Sequence, residues 1–149
     1  MGTHYQGTKK EINALNSYIK LIRSAETLTS KINLELSNFN LTESQFGVLD
    51  ALLHLGPLKQ KELARKILKS GGNITMVIDN LEKEGFVQRK RGEKDRRFFM
   101  VHLTAKGKKK IQFVFQHLLN TITKHFEILN ESEQKKLQGL CKIIGLIKR

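Results

Sequence analysis

The chain has 149 residues, a net charge of +13 and a single cysteine, Cys141. This length suits one domain with helical extensions, and a lone cysteine excludes an intrachain disulfide, so a reducing compartment is expected. No apolar segment approaches the roughly 18 residues of a membrane-spanning helix, and the first eight residues lack the apolar core of a signal peptide, which together predict a cytoplasmic protein with no membrane partner.

Helical periodicity dominates the first third of the chain. Apolar residues at helical spacing predict one long helix over residues 12–38. Its apolar positions are Ile12, Leu15, Ile19, Ile22, Leu28, Ile32 and Leu36. The residues before Lys9 show no periodicity, and we expect them to fray. Thr42 and Gln45 form a capping box that predicts a second helix, which Gly56 and Pro57 end.

After a short helix predicted over residues 60–68, a second helix predicted over residues 71–84 has two distinct faces. Its apolar residues recur at helical spacing and must pack inward: Ile74, Val77, Ile78 and Leu81. The outward face carries polar or unbranched side chains that can reach base edges: Asn73, Thr75, Met76 and Asn80. Ser70 and Gly72 lie at the helix start, where we expect phosphate contact. Gly85 supplies the left-handed residue that ends the helix.

A basic β-hairpin is predicted next. Val87 opens one strand, and residues 99, 101 and 103 alternate as apolar positions of the other. The turn at Gly92 lies within a run that has no apolar residue, and its cations are Arg89, Lys90, Arg91, Lys94, Arg96 and Arg97. Residues 59–110 hold 16 Lys and Arg against 6 Asp and Glu, so ten of the 13 excess charges fall there. Such a concentration beside an amide-rich helix indicates DNA as the partner.

The C-terminal third predicts two further helices. Thr104 caps the first, whose opening turn carries Lys106 and residues 108–110, also lysines; phosphate contact would explain cations at a helix N-terminus. Asn130 and Glu133 predict the cap of the last helix. The first helix and these two carry more apolar surface than one small domain covers, so we expect a homodimer.

Three motifs in this order resemble the MarR family of bacterial winged helix-turn-helix regulators. They are Gly56-Pro57-Leu58-x-x-x-Glu62-Leu63-Ala64, Asn73-Ile74-Thr75-x-x-Ile78-Asp79-x-Leu81-Glu82-Lys83-x-Gly85 and Asp95-x-Arg97-x-x-x-Val101-x-Leu103-Thr104-x-x-Gly107. The resemblance covers residues 41–107. It implies a mainly α fold with a small β-hairpin wing. Residues 41–104 would form the winged helix-turn-helix DNA-binding domain, and residues 9–40 and 105–149 a helical dimerisation region.

The same resemblance implies roles for single residues and for a ligand. Arg97 would be the wing arginine that enters the minor groove, and Asp95 would hold it by a charged hydrogen bond. A dimer would place two recognition helices about one helical turn, roughly 34 Å, apart on a pseudo-palindromic operator. Such regulators are commonly repressors released by a phenolic or other lipophilic compound, bound where the dimer helices meet the winged domain.

Other interpretations remain. Cys141 is predicted to be a buried packing thiol, with a redox sensor as the alternative. Tyr18, Phe46 and Phe113 are interpreted as core aromatics rather than as an effector pocket. His117 and His125 make a weak zinc pattern, and we predict no metal and no cofactor. The sequence has neither an activated nucleophile nor a phosphate-loop motif, so we do not predict an enzyme. A non-specific architectural nucleic-acid binder would use the same positive charge, and this is the alternative function.

Overall fold

The structure, a computed structural model, describes residues 2–67 and 73–146 of the chain. These residues form a mainly α-helical fold with a small antiparallel sheet, which confirms the predicted fold class. In chain order the elements are α1 (Lys9–Asn38), α2 (Glu43–Leu55), β1 (Leu58–Lys59), α3 (Gln60–Lys66), α4 (Ile74–Lys83), β2 (Val87–Arg91), β3 (Phe99–Leu103), α5 (Ala105–Phe126) and α6 (Glu131–Gly145).

Side chains at the helix starts satisfy backbone N–H groups that have no partner within the helix. The capping boxes predicted at Thr42 with Gln45 and at Asn130 with Glu133 are confirmed. In each box the two residues exchange hydrogen bonds between side chain and backbone. Thr104 caps α5, also as predicted. Three of the helix starts were therefore readable from local sequence alone.

The start of α1 differs from the prediction. The helix begins at Lys9, three residues earlier than predicted, because Thr8 and Glu11 form a further capping box. The residues before it do not simply fray, since the backbone N–H of Thr3 donates to Oδ1 of Asn16 at 2.7 Å. The N-terminal segment thus folds back along the first turns of α1.

A third strand joins the predicted hairpin. The sheet order is β1-β3-β2 and both pairings are antiparallel, with Leu58 of β1 and Arg89 of β2 each opposite Val101 of β3. β1 has only two residues, which is too short to produce an alternating sequence pattern. It leads directly into α3, so that helix lies beside the part of the hairpin that is close to its turn.

The C-terminus of α4 confirms the predicted role of Gly85. This glycine has φ +80°, and its N–H donates to the Glu82 carbonyl at 3.0 Å. The next N–H, that of Phe86, donates to the Leu81 carbonyl at 2.9 Å. This pair of bonds is a Schellman motif, which turns the chain from α4 into β2.

One hydrophobic core lies between α2, α4, α5, the end of α1 and the inner face of the sheet. Its buried side chains are Leu36, Leu41, Val48, Leu49, Leu52, Leu63, Ile78, Leu81, Phe86, Val87, Val101, Ile111, Val114 and Leu118. Phe46 packs against this cluster. The core therefore fixes α4 and the sheet on one framework.

The terminal helices leave apolar side chains uncovered in the single chain. Along the described length of α6, residues 131–145, no side chain is buried. Large apolar side chains that remain exposed on the terminal helices are Leu21, Ile22, Leu34, Leu119, Ile122, Leu140, Ile143 and Ile144. No helix within residues 2–67 and 73–146 is long and apolar enough to cross a membrane.

Two predictions about buried side chains are wrong for the single chain. Cys141 was predicted to be buried but is exposed, and it borders an open recess between α5 and α6. Tyr18 and Phe113 were interpreted as core aromatics, but 62% and 58% of these residues' surfaces are exposed. All three lie on terminal helices, which the rest of the chain covers only in part.

Candidate nucleic-acid interface

The two faces predicted for the helix over residues 71–84, which would be the recognition helix, are confirmed in α4. Ile78 and Leu81 are fully buried, and Ile74 and Val77 pack against the core. The other face is exposed along its length and carries Asn73, Thr75, Met76 and Asn80. Ser70 and Gly72, predicted to contact phosphate, lie outside the described residues.

Two of the outward side chains have defined local partners. Asn73 is the N-cap of α4, and its Oδ1 accepts the N–H of Thr75 at 3.0 Å. The cap uses the amide oxygen and leaves the amide nitrogen as the atom that can donate to a base. The hydroxyl of Thr75 accepts from Nε2 of Gln60 at 2.9 Å, so α3 holds this side chain. Both residues are therefore oriented before any ligand arrives.

The tip of the wing, residues 92–98, is closed by its own backbone. The N–H of Gly92 donates to the carbonyl of Phe98 at 3.0 Å. A Cβ on Gly92 would lie 2.6 Å from the carbonyl oxygen of Asp95, so the loop requires glycine there. Nη1 of Arg91 donates to the carbonyl of Arg96 at 2.8 Å and braces the loop from β2.

Asp95 holds Arg97, as the resemblance implies. Nε and Nη2 of Arg97 donate to the two carboxylate oxygens at 3.1 and 2.9 Å. The carboxylate also accepts the backbone N–H of Arg97 at 3.1 Å. These hydrogen bonds lower the pKa of Asp95 and raise that of Arg97. The Arg97 side chain is 83% exposed, so its charge faces solvent in a fixed orientation.

The comparisons with known proteins identify this architecture. The family model described as the MarR family matches residues 41–98. The HTH-type transcriptional regulator YkoM of Bacillus subtilis is 30% identical over 133 residues, which are 89% of this chain and 86% of YkoM. The chain belongs to the MarR family.

Solved MarR-family structures superpose on the whole fold. AbsC, a MarR family transcriptional regulator from Streptomyces coelicolor, matches with a TM-score of 0.74 over 95% of each chain at 22% identity. NadR, solved in complex with 4-hydroxyphenylacetate, matches with a TM-score of 0.70 and 25% identity, over 99% of this chain and all of NadR. The helices and the small sheet of the described residues thus form the winged-helix fold of MarR regulators.

Arg89 departs from the role expected of it in a MarR-family wing. The sequence predicts that it contacts phosphate, but its side chain is only 18% exposed and lies against α4. Its Nη2 is 2.6 Å from Oδ1 of Asp79, and its Nη1 is 3.1 Å from Oε1 of Glu82. The physical reason is strand alternation, which places Arg89 on the inner face with Val101. Arg89 is thus paired within the chain at the position where the sequence predicts a phosphate contact.

Lys106 also has an intramolecular partner. Its Nζ donates to the Glu84 carbonyl at 2.6 Å and lies 4.9 Å from the centre of the Phe86 ring. It therefore stabilises the C-terminus of α4, where a cation is favourable, although it is placed at the N-terminus of α5. This contact explains the presence of one of the lysines in the first turn of α5.

The sequence did not single out Phe98 or Lys59, which join the candidate surface. The Phe98 ring is 41% exposed, with Nζ of Lys59 at 4.5 Å and Cζ of Arg97 at 5.7 Å from its centre. A recess of about 380 Å³ lies between the wing and the helices beside it. Arg97 and Phe98 line one side, and Ala64 and Ile74 line the other. The wing tip and the start of α4 thus border one continuous surface.

A second recess, of about 310 Å³, opens where α1 and α5 meet. Its lining residues are Glu35, Asn38, Phe39, His117, Asn120, Thr121 and Lys124. The Phe39 ring contacts those of Phe113 and His117, with centres 5.7 and 5.2 Å apart.

Within residues 2–67 and 73–146, no group of three or more His, Cys, Asp or Glu side chains is placed to hold a metal ion.

Proposed function

We propose that this MarR-family protein is a homodimeric repressor that binds a pseudo-palindromic operator and is released by a small molecule. The observation that carries the proposal is a recess bordered by the wing tip, at Arg97 and Phe98, and by the start of α4, at Ile74, the helix whose other face is polar and exposed. One part offers uncharged hydrogen-bonding side chains and the other offers cations. A protein that reads bases while holding the backbone needs both.

In the proposed complex α4 enters the major groove. Asn73, Thr75, Met76 and Asn80 reach base edges or thymine methyl groups, and Arg97 enters the adjacent minor groove. The remaining exposed cations of the wing attract phosphates: Lys90, Arg91, Lys94 and Arg96. Ser70 and Gly72 stay predicted phosphate contacts. Asp95 buttresses Arg97 rather than touching DNA.

The proposed dimer covers the exposed apolar side chains of the terminal helices. Residues 9–40 and 105–149 form the dimerisation region in this proposal, and residues 41–104 form the DNA-binding domain. Leu140, Ile143 and Ile144 are more than half exposed on one stretch of α6, and such a stripe is stabilised by burial against a partner. A two-fold axis through these helices would present two α4 helices to one face of DNA.

We assign the proposed effector to the recess between α1 and α5. NadR, similar in fold over its whole length, was solved with 4-hydroxyphenylacetate, a phenol that carries a carboxylate. The recess offers the Phe39 ring for an aromatic ligand and Lys124 for an anionic group. A ligand there would contact the dimerisation helices, whose spacing sets the distance between the two α4 helices.

Selection of bound sequences from a random duplex pool tests this function. We expect enrichment of an inverted repeat whose half-sites are about one helical turn apart, roughly 10 base pairs. A recovered pool with no shared sequence would contradict the proposal and support a non-specific nucleic-acid binder.

A further inference from the structure

Arg89 connects three elements around the recognition helix. Its guanidinium reaches Asp79 Oδ1 at 2.6 Å, Glu82 Oε1 at 3.1 Å, Gln60 Oε1 at 3.3 Å and the Thr75 carbonyl at 3.3 Å. Its backbone N–H also donates to Oε2 of Glu82 at 2.9 Å. One side chain of β2 therefore contacts α3 and nearly the whole length of α4.

These contacts make Arg89 a poor site for phosphate. All three guanidinium nitrogens are engaged, and a single positive charge faces the two carboxylates of Asp79 and Glu82. The cluster has a formal charge of −1, which repels a phosphate group instead of attracting it. By contrast Lys90, the next residue, lies on the other face of the sheet and is exposed.

The position of Arg89 determines how the wing meets α4. β2 leads into the loop that carries Arg97, so the contacts of Arg89 join the strand before that loop to α4. A rigid planar guanidinium with several partners fixes both the distance and the angle between strand and helix. Removal of this link would let the wing move relative to α4 and would leave two unpaired carboxylates beside the DNA surface.

We infer that Arg89 is a positioning residue that holds the wing in register with the recognition helix, so that both reach their grooves at once. The inference rests on the proposed DNA-binding function. It makes Arg89 part of the apparatus for specific binding, although neither Arg89 nor the carboxylates of Asp79 and Glu82 touch the DNA.

The dependence of operator affinity on salt separates a positioning residue from a phosphate contact. Each phosphate contact that is lost lowers the slope of log K against log salt by about 0.9. We expect Lys90→Gln, the matched control, to lower the slope by about that amount. Arg89→Gln should weaken operator binding at least tenfold and lower the slope by more than one contact, because a wing that is free to move loses several phosphate contacts at once. A slope that falls for Arg89→Gln only as much as it does for Lys90→Gln would overturn the inference.

Hydroxyl-radical footprinting supplies the second readout. For Arg89→Gln we expect loss of the protection that the wing gives to the flanks of the operator, while protection at the α4 contacts remains. Uniform weakening of the whole footprint would mean that Arg89 acts on overall stability or charge alone. Thermal melting of the variant, monitored by circular dichroism, checks that it is folded.

The double variant Asp79→Asn with Glu82→Gln keeps the inference testable if Arg89→Gln does not fold. It removes two negative charges near DNA and frees Arg89, so electrostatics alone predicts tighter binding. A positioning role predicts weaker binding to the operator, by about tenfold, and tighter binding would overturn the inference. If the wild-type protein shows no preferred sequence, the proposed function itself fails and these comparisons do not arise.

Discussion

Asp95 and Arg97 form a two-point ion pair at the tip of the wing, with nitrogen-to-oxygen distances of 2.9 and 3.1 Å. Both side chains are accessible to solvent, so the pair contributes little to stability and mainly orients the guanidinium. The pKa of Asp95 is lowered, chiefly by the side-chain hydrogen bond from Arg97. The pair is therefore intact above the unfolded pKa of about 3.9 and breaks only as pH falls through the lowered folded value.

Arg97→Ala should weaken operator binding about 10- to 100-fold without a change in melting temperature, since charged hydrogen bonds contribute roughly 1.5–3 kcal/mol. Gel-shift titration measures the loss. Arg96→Ala is the matched control, because Arg96 is an exposed neighbour without the carboxylate pair, and we expect a smaller loss. Equal affinity of wild type and Arg97→Ala would mean that the minor-groove role is assigned to the wrong residue.

Substitutions at Asn73 separate base contact from helix capping. Asn73→Ala removes the cap as well as the amide and should lower the free energy of unfolding by about 1 kcal/mol. Asn73→Ser keeps a capping oxygen, so we expect near wild-type stability. With both variants the preferred operator sequence should change more than the overall affinity. Repetition of the random-pool selection measures this, and the same consensus recovered with weaker binding throughout would argue against base readout.

Gly107 is required by close packing at the first turn of α5. A Cβ there would lie 1.9 Å from the carbonyl oxygen of Phe86, a backbone atom that cannot move without displacing β2. Gly107→Ala should therefore lower the free energy of unfolding by about 3 kcal/mol or more. Gly139→Ala, in the middle of α6, is the control because its Cβ would meet nothing within 4 Å. We expect that variant to gain about 0.5–1 kcal/mol, and equal melting temperatures for the two would contradict the structure.

Asp50 places a charge at a half-buried position on α2. Burial raises its pKa, and the charge of His54 only partly offsets this effect. His54 Nδ1 lies 3.0 Å from both the Asp50 carbonyl and its Oδ1, and it hydrogen-bonds the carbonyl. Oδ1 is left with a charge contact but with no hydrogen-bond donor among the described residues.

Asp50→Asn should therefore raise the melting temperature by a few degrees at pH 7. A carboxyl whose folded pKa is raised binds its proton more tightly in the folded state, so the wild type loses stability as pH rises through that pKa. The advantage of the variant should thus shrink as pH falls and vanish below about pH 3.9, the unfolded value. Thermal melts from pH 3 to 8 measure it. A variant that is less stable at pH 7 would show that the His54 contact outweighs burial.

Ile143→Glu should disrupt the proposed dimer. Ile143 is 68% exposed on α6, so a charge there costs the single chain little but would be buried at the proposed interface. Light scattering coupled to gel filtration should give half the wild-type mass, with the fold retained by circular dichroism. Lys142→Glu is the control on the other side of the helix and should remain dimeric. A wild-type protein that is monomeric at micromolar concentration would rule out the proposed assembly.

Features set by neighbouring residues were predictable from the sequence. The boxes at Thr42 and Asn130 and the left-handed Gly85 depend on partners within three or four positions, so their pattern is visible in the chain. The two faces of α4 follow from periodicity. β1 was not predictable, because its two residues are strand only by virtue of β3, which lies about 40 positions later.

The role of Arg89 shows where sequence reasoning fell short. Its charge suggested solvent and DNA, yet the alternation of β2 puts it on the same face as the buried Val87, a signal that was present in the sequence. Its partners Asp79 and Glu82 lie one helical turn apart, which was also visible. The sequence does not show that β2 lies against α4, and only the structure does. The exposure of Cys141 was not predicted either. Its apolar neighbours in the sequence suggested burial, but apolar residues are buried only where another part of the structure covers them.

The affinity ratio between the selected operator and a shuffled duplex of equal length tests the central claim most directly. Fluorescence anisotropy at about 0.15 M salt would measure both dissociation constants for the wild-type protein. We expect the operator to bind at least about 1,000-fold more tightly, as specific DNA-binding proteins do. A ratio below about tenfold would show that the polar face of α4 and the wing of this chain do not read sequence.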